Sequence, residues 1–187
     1  TDGCQNNTIQ NCVITLNRNN FGVGSDPAVD GSRGIEFVNA LTNAHTTSLA
    51  ITAASGANSF NKIYANTIQN CNIGIAMIGF ADISPFTYVD MGNDIGGISS
   101  ATGNMIINFG GATSATTAAA GVRTLAQYDL NVSNNIVNNN NGFGFDHVNV
   151  IRAIYVDAAV SANATISSNT LTIRSGTTTS QVSLIEN

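Results

Sequence analysis

The chain has 187 residues, of which 43% are apolar and only 9% charged, with eighteen glycines, two prolines and no tryptophan. The net charge is −5 and Lys62 is the only lysine, so the composition provides no basic stripe that would neutralise nucleic-acid phosphates. No apolar run approaches the roughly 20 residues that cross a bilayer. Neither a nucleic-acid partner nor a membrane span is therefore predicted.

The string Asn-Thr-Ile-Gln-Asn-Cys occurs at residues 7–12 and again at 66–71. With its first Asn taken as a marker, weaker copies of the frame begin at Asn104, Asn135 and Asn169. The position three residues before the marker is always apolar, and it holds Cys4, Ile63, Ala101, Val132 and Ile166. The position two residues after it is also apolar, and it holds Ile9, Ile68, Ile106, Val137 and Leu171. Such columns predict side chains that stack from one repeat to the next.

A second recurring element is Gly or Ala followed by an apolar residue, and it follows each of the first four markers at Ile35, Ile75, Val122 and Ile154. The shortest spacings are 9 residues from marker to this residue and 13 from there to the next marker, so a coil without insertions takes 22 residues. Three short strands with tight corners fill such a coil, and no helix fits. The pattern predicts an all-β solenoid of about five coils. A β-sandwich is disfavoured because its strands do not repeat residues in the same columns.

The frames at 61–75, at 92–98 and at 103–106 resemble the right-handed parallel β-helix repeats of the pectate-lyase-like superfamily, most of all those of large secreted and cell-surface bacterial proteins. The resemblance covers nearly the whole chain. It implies a right-handed parallel β-helix, but it does not specify a function, because this fold hosts lyases, hydrolases, tailspikes and adhesins.

Residues in excess of 22 per coil predict insertions at only two corners. One group follows the marker, near 17–33, 109–120 and 139–149, and the other precedes it, near 40–59 and 80–100. Insertions clustered on one face of a solenoid often contact ligands. The alternative is that they only shield the faces and edges of the sheets.

Five aspartates in these insertions are the candidate ligand-binding residues: Asp26 and Asp30 in the first, and Asp82, Asp90 and Asp94 in the segment 80–100. Oxygen-rich loops of this kind could hold calcium. The spacing does not match an EF-hand, and turn formation is the more ordinary role of aspartate in loops.

The resemblance implies that lyases of this fold use a calcium-binding acidic cluster with an Arg or Lys base, and that its hydrolases use aspartate pairs. The outward positions beside the marker contain no charge: Thr8/Gln10, Thr67/Gln69, Met105/Ile107, Ile136/Asn138 and Thr170/Thr172. The hydrolase motifs are also absent from the sequence. These observations favour a non-catalytic protein. Ice binding by the Thr and Gln columns is a minor hypothesis, because Met105, Ile107 and Ile136 interrupt the array.

Three further expectations concern individual residues or residue pairs. Cys12 and Cys71 hold the same frame position, which predicts two stacked buried thiols or, as an alternative, a disulfide. His147 has no nucleophile at a recognisable spacing and is predicted to lie on the surface. Glu36 and Arg123 lie one residue after the recurring apolar position, so they would form an ion pair if their coils approach closely.

Residues 1–187 are thus predicted to be a single β-helix segment of a longer, secreted or cell-surface bacterial protein. The expected function is a rigid stalk or adhesive module that contacts polysaccharide or cell-surface glycan through its loops. One alternative is a polysaccharide lyase or hydrolase with acids from loops 17–33 and 80–100. The other is a structural segment that stacks end to end with its own copies.

Overall fold

The fold is a parallel β-helix of five coils, seen in a computed structural model. The structure describes residues 2–16, 31–41, 44–111, 118–142, 146–177 and 179–187. Each coil contributes one strand to each of three five-stranded parallel sheets. The predicted all-β fold and its coil number are confirmed. No helix in these ranges is long and apolar enough to cross a membrane.

The strands of the first two coils are β1 (Thr8–Gln10), β2 (Val13–Thr15), β3 (Arg33–Val38), β6 (Lys62–Tyr64), β7 (Thr67–Gln69) and β8 (Ile73–Ile78). Between these coils lie the antiparallel pair β4 (Ala40–Leu41) and β5 (Ala44–Ser48) and a short 3-10 helix, Ala54–Gly56.

The later coils comprise β10 (Asp94–Ile95), β11 (Met105–Ile107), β12 (Ala119–Leu125), β14 (Leu130–Ser133), β15 (Ile136–Asn138), β16 (Ile151–Asp157), β17 (Ala164–Ser167), β18 (Thr170–Thr172) and β19 (Val182–Glu186). Two short strands, β9 (Asp90–Met91) and β13 (Gln127–Tyr128), pair beside them. The first sheet has the order β1-β6-β10-β14-β17, the second contains β2, β7, β11, β15 and β18, and the third contains β3, β8, β12, β16 and β19.

Three apolar columns fill the interior, one from each sheet. They are Ile9, Ile63, Ile95, Val132 and Ile166; Ile14, Ile68, Ile106, Val137 and Leu171; and Ile35, Ile75, Val122, Ile154 and Ile185. The members from the three middle coils are all fully buried. β-branched side chains suit this arrangement because each is packed against its equivalents in the coils above and below.

The predicted alignment of the first coil is wrong. Residues 7–12 do not stack on their identical copy at 66–71, because Thr8 lies opposite Lys62, and the Cys12 amide donates to Asn66 Oδ1 at 3.0 Å. The string therefore lies in the first sheet at its first occurrence and in the second sheet at its second. Ile9 belongs to the first column, from which Cys4 and Ala101 are absent. The two strands share the pattern of an inward isoleucine between polar residues, so the string fits either one.

The corrected register separates the cysteines. Cys71 is buried, but Cys12 is exposed, and none of the three cysteines is in a disulfide. The predicted pair of stacked buried thiols is therefore wrong, and the alternative disulfide does not form. Cys12 occupies in the first coil the position that Asn66 occupies in the second.

Asparagine stacking is confirmed from Asn66 onward. The amides of Asn66, Asn104 and Asn135 each donate from both the backbone and the side chain to the Oδ1 of the next asparagine, ending at Asn169, over distances of 2.9 to 3.0 Å. A second ladder, which the sequence pattern did not reveal, joins Asn7, Asn61 and Asn93 in the same way. Both ladders satisfy backbone amides at the corners of coils, where regular sheet pairing is interrupted.

The predicted insertions lie at the predicted corners. Segments 17–33, 109–120 and 139–149 connect the second and third strands of their coils, with ends within about two residues of the strand boundaries. Segment 40–59 precedes the first sheet, as expected. Segment 80–100 is not one loop, because Asp94 and Ile95 form β10 and divide it into two connections.

Sharp corners are made by residues with positive φ. The corner between the first and second sheets has Asn11 (φ 57°), Ala65 (φ 51°), Asn134 (φ 61°) and Ser168 (φ 54°) in four of the coils. The left-handed conformation costs an ordinary L-residue roughly 1–2 kcal/mol, and Asn tolerates it best after Gly. Ala65 and Ser168 are therefore the strained members of this set.

We expect Ala65→Asn to raise the free energy of unfolding by about 1 kcal/mol, because the same corner already accepts Asn in the first and fourth coils. Urea unfolding followed by circular dichroism measures the change. Ala101→Asn is the control, since Ala101 is exposed and has no positive φ. Equal effects of the two substitutions would contradict the explanation by backbone strain.

Candidate functional site

Of the five predicted ligand-binding aspartates, the three that the structure describes do not form one site. Asp26 and Asp30 lie outside the described residues. Asp82 has the turn-forming role, because its Oδ1 accepts from the Ile83 amide at 2.8 Å and its Oδ2 from the Tyr88 amide at 2.9 Å. Within the described ranges, no group of three His, Cys, Asp or Glu residues is arranged to hold a metal ion.

Asp90 is fully buried in β9, where it ends a chain of amides. Its Oδ1 accepts from the Asn58 backbone at 2.7 Å, and its Oδ2 accepts from Gln127 Nε2 at 3.3 Å. Gln127 Oε1 in turn accepts from Asn93 at 2.7 Å. Burial raises the pKa of the Asp90 carboxyl to about 6, against the lowering effect of these hydrogen bonds. This side chain belongs to the interior of the scaffold.

Asp94 is the predicted residue that faces an open site. It lies in β10 on the outer face of the first sheet, beside a groove of about 470 Å³. The lining of this polar groove spans the third to fifth coils and consists of Asp94, Gly97, Ile98, Asn131, Ser133, Asn134, Ser167 and Ser168. Apart from Asp94 and Ile98, every side chain in this set is an amide, a hydroxyl or hydrogen.

A continuous hydrogen-bond network fixes the floor of the polar groove. Asp94 Oδ1 accepts from the Gly97 amide at 3.0 Å and from Asn131 Nδ2 at 2.6 Å. Ser133 Oγ donates to Asn131 Oδ1 at 2.5 Å and lies 2.9 Å from Ser167 Oγ. The polar groups are thus held in place by one another before any ligand arrives, which lowers the entropy that binding would cost.

Tyr64 contacts two residues of the groove lining. Its hydroxyl donates to Asp94 Oδ2, and its ring lies close to Gly97. Burial, followed by the hydrogen bond and the negative charge of Asp94, raises the pKa of the Tyr64 phenol. The phenol is therefore protonated at neutral pH and serves as a hydrogen-bond donor rather than as a base.

Lys62 lies next to this network along the first sheet. It is exposed, and it lies directly opposite Asp94 in the parallel ladder, with neighbouring strands about 4.8 Å apart. Lys62, Asp94 and Asn131 therefore occupy successive rungs of one outward row.

The sequence-based prediction missed this row because it examined only the outward positions that flank the marker, which lie mostly in the second sheet. With the corrected register, residues 7–11 align with Asn61-Lys-Ile-Tyr-Ala, and this alignment reveals a charged outward row in the first sheet. The signal was the repeated Asn-x-Ile pattern five residues before Asn66.

Other charged groups differ from the predictions. Glu36 and Arg123 do not pair, because Ala76 lies between them in the ladder. Glu36 instead bonds Arg33 at 2.8 Å, and Arg123 bonds Asp157 at 3.1 Å. His147 is fully buried rather than on the surface. Its Nδ1 accepts from the Gly111 amide at 3.0 Å, and this bond links the insertions 139–149 and 109–120.

Comparison with family models, with curated proteins and with solved structures gave no match. The chemistry of the polar groove therefore has to be judged from its own residues. Its lining contains one carboxylate, so it lacks the pair of carboxyl groups that acid and base catalysis of glycoside hydrolysis requires. The amides and hydroxyls are suited to hydrogen bonding with a neutral, oxygen-rich ligand.

Proposed function

We propose that this protein is a non-catalytic β-helix module that binds an extended polysaccharide or cell-surface glycan along the polar groove. The observation that supports this most is the ordered row of Asp94, Asn131, Ser133 and Ser167 across three coils. Repetition of polar groups along the solenoid axis suits a ligand that is itself a chain of repeated, hydroxyl-rich units. A glycan ligand of this kind is in turn consistent with a secreted or cell-surface protein.

The hydrogen-bonding capacity left over in the groove supports a sugar ligand. An ionised carboxylate offers about four acceptor sites, and Asp94 uses three of them within the protein. Asn131 Nδ2 has a second hydrogen beyond the one it gives to Asp94. A vicinal pair of sugar hydroxyls can donate to one of these groups and accept from the other. Ile98, which is 98% exposed at the rim, offers apolar surface to the C–H face of a sugar ring.

The hydrogen bonds of Asp94 and the protonation of Tyr64 favour binding without catalysis. Both oxygens of Asp94 are engaged by donors, which leaves them poorly placed for a metal ion that would neutralise a substrate acid. The raised pKa of Tyr64 keeps that phenol protonated. Lys62 is the residue on which a lyase reaction would depend, and its position beside Asp94 is the observation that keeps this second candidate function open.

The proposal is tested by affinity electrophoresis and calorimetry with a panel of neutral and uronic-acid polysaccharides. Asn131→Ala and Ser167→Ala should each weaken binding at least tenfold, because each opens the hydrogen-bond network of the groove floor. Thr172→Ala, on the outer face of the second sheet, should leave affinity unchanged. Absence of binding to every polysaccharide, or an equal loss in all three variants, would refute the proposal.

The lyase alternative has its own readout. Incubation with uronic-acid polysaccharides would release unsaturated products with a new ultraviolet absorbance, and Lys62→Met would abolish it. We expect no such product from the unaltered protein. If it forms, the polar groove is a catalytic site.

A further inference from the structure

The turn that begins at the end of β15 contains four consecutive asparagines, residues 138–141, followed by Gly142. This is the only Asn-Gly pair in the sequence, although the chain has 27 asparagines. The pair matters chemically, because the backbone nitrogen that follows an asparagine can attack the side-chain amide of that asparagine. Glycine has no side chain to hinder this approach and restricts backbone rotation least.

Hydrogen bonds hold the first three of these asparagines. Asn138 Oδ1 accepts from the Asn140 amide at 3.0 Å. Asn139 is fully buried, and its side chain makes two hydrogen bonds of 2.6 Å with the backbone of Arg174. Asn140 Nδ2 donates to Asp146 Oδ1 at 3.1 Å. A side chain engaged in this way cannot turn its Cγ toward the next backbone nitrogen without losing those bonds.

Asn141 differs from its three neighbours. It is exposed, and in the part of the chain that the structure describes its side-chain amide has no hydrogen-bond partner. Its backbone amide is anchored, because it donates at 2.8 Å to the Oδ1 of Asn108 in the third coil. The side chain is therefore free to rotate while the backbone of the residue stays in place.

Gly142 presents its backbone nitrogen in an open turn. The residue is exposed with a φ of 77°, and a Cβ placed on it would meet nothing within 4 Å. Its nitrogen donates to the Asn140 carbonyl at 3.0 Å, which is a contact within the same surface turn. Rotation that brings this nitrogen to the Cγ of Asn141 thus displaces no packed group.

The same chemistry is hindered at the asparagines of the ladder. Asn66, Asn104 and Asn135 are buried, and each side chain both donates and accepts hydrogen bonds. The nitrogen that follows each of them, in Thr67, Met105 and Ile136, donates to a carbonyl of the coil before it. Both reacting groups are therefore held apart by the fold, and the contrast with Asn141 comes from the structure as well as from the glycine.

We propose that Asn141 is a site of spontaneous deamidation in the folded protein. The Gly142 nitrogen attacks Cγ of Asn141 and loses its proton, while the bond from Cγ to Nδ2 breaks and Nδ2 leaves as ammonia. The product is a cyclic imide. Water then opens the imide at one of its two carbonyls, which leaves either aspartate or isoaspartate at position 141. No oxidant or reductant takes part, and each event adds one negative charge to a chain whose net charge is −5.

Peptide mapping by mass spectrometry tests this inference on the whole, folded chain after incubation at neutral and mildly alkaline pH. Tryptic cleavage after Arg123 and Arg152 yields one peptide that contains Asn141 and seven other asparagines, which serve as internal references. We expect Asn141 to be converted at least tenfold faster than any of them, with a rate that rises with pH. Isoaspartate should accompany aspartate, because the imide opens at either carbonyl.

Two variants and an unfolded sample make the outcome decisive. Asn141→Gln should abolish the first equivalent of released ammonia, since glutamine closes its larger ring much more slowly. Asn163→Gln is the matched control and should leave that release unchanged, because Asn163 is also exposed but donates to Asp129 Oδ1 at 2.6 Å. In urea the ladder asparagines should react faster than in the folded chain, whereas the rate at Asn141 should change little.

Three results would overturn the proposal. They are an Asn141 that reacts at least tenfold more slowly in the folded chain than in urea, an earlier conversion of another asparagine in the folded chain, and aspartate as the sole product, which would indicate direct hydrolysis. Circular dichroism establishes that both variants are folded. None of these measurements depends on glycan binding.

Discussion

Replacing Asn104 by alanine is expected to lower the free energy of unfolding by about 3 to 5 kcal/mol. Asn104 is 1% exposed at the centre of the ladder that runs from Asn66 to Asn169. Its Oδ1 accepts from the Asn66 backbone and side chain, and its Nδ2 donates to the Ile63 carbonyl at 2.7 Å. Each buried group left without a partner costs about 1–3 kcal/mol, and the substitution leaves at least two. Urea unfolding measures the loss.

Asn141→Ala is the control for this prediction, because Asn141 is exposed and its backbone amide, not its side chain, makes the bond to Asn108. Its stability should change by less than about 0.5 kcal/mol. Asn104→Asp provides a sharper comparison. It keeps the acceptor but places a carboxylate against the Ile63 carbonyl and Asn135 Oδ1, which removes two donated hydrogen bonds. Wild-type-like stability of Asn104→Ala would mean that the ladder contributes little.

The sequence-based prediction of the fold succeeded because side chains stack from coil to coil in the interior as well as in the asparagine ladder. Each inward column must supply a similar apolar shape in every coil, so Ile68, Ile106, Val137 and Leu171 recur at a readable spacing. The fold class, the coil number and four of the five insertion segments could be inferred from that recurrence. The first coil was misaligned because Ile9 satisfies the requirement of either column, and only backbone pairing distinguishes them.

The polar groove was less predictable than the scaffold. Asp94 was among the five candidate ligand-binding residues, but its place in a strand was not predicted, because β10 has only two residues and is followed by Gly96 and Gly97. Its partner Asn131, which in turn accepts from Ser133, comes from another coil and was not expected to contact it. Outward positions are free of the packing constraint, so their residues do not recur and leave no periodic signal.

The second large expected effect comes from Asp90, whose titration should lower the free energy of unfolding as pH rises. Burial raises the pKa of its carboxyl to about 6 in the folded protein, whereas the unfolded chain has the ordinary value of about 3.9. Between these values the folded state binds more protons than the unfolded state, so the free energy of unfolding falls as pH increases. The stabilising contribution is fully present below about pH 4 and lost above about pH 6. The difference between the two pKa values corresponds to about 3 kcal/mol in the free energy of unfolding.

The variant Asp90→Asn should abolish this decline. Its amide shifts stability by a constant, because its Nδ2 places a donor against the Nε2 donor of Gln127, and that shift does not vary with pH. The measurement is therefore the difference in free energy of unfolding between the two proteins from pH 4 to pH 7. Taking the difference also removes the opposite contribution of Glu186, whose pKa is lowered by Arg152 and whose stabilisation grows as pH rises.

Asp2→Asn, a substitution at an exposed aspartate, is the control and should retain the full pH dependence of the unaltered protein. Equal slopes for Asp90→Asn and the unaltered protein would mean that the buried carboxyl is not the titrating group.

The expected result has a structural meaning, because Asp90 ends the amide chain that includes Asn58, Gln127 and Asn93. The neutral carboxyl avoids the cost of burying a charge, which the hydrogen bonds from Asn58 and Gln127 offset only in part. Asp90 therefore favours the folded state most at acidic pH, where its carboxyl is neutral.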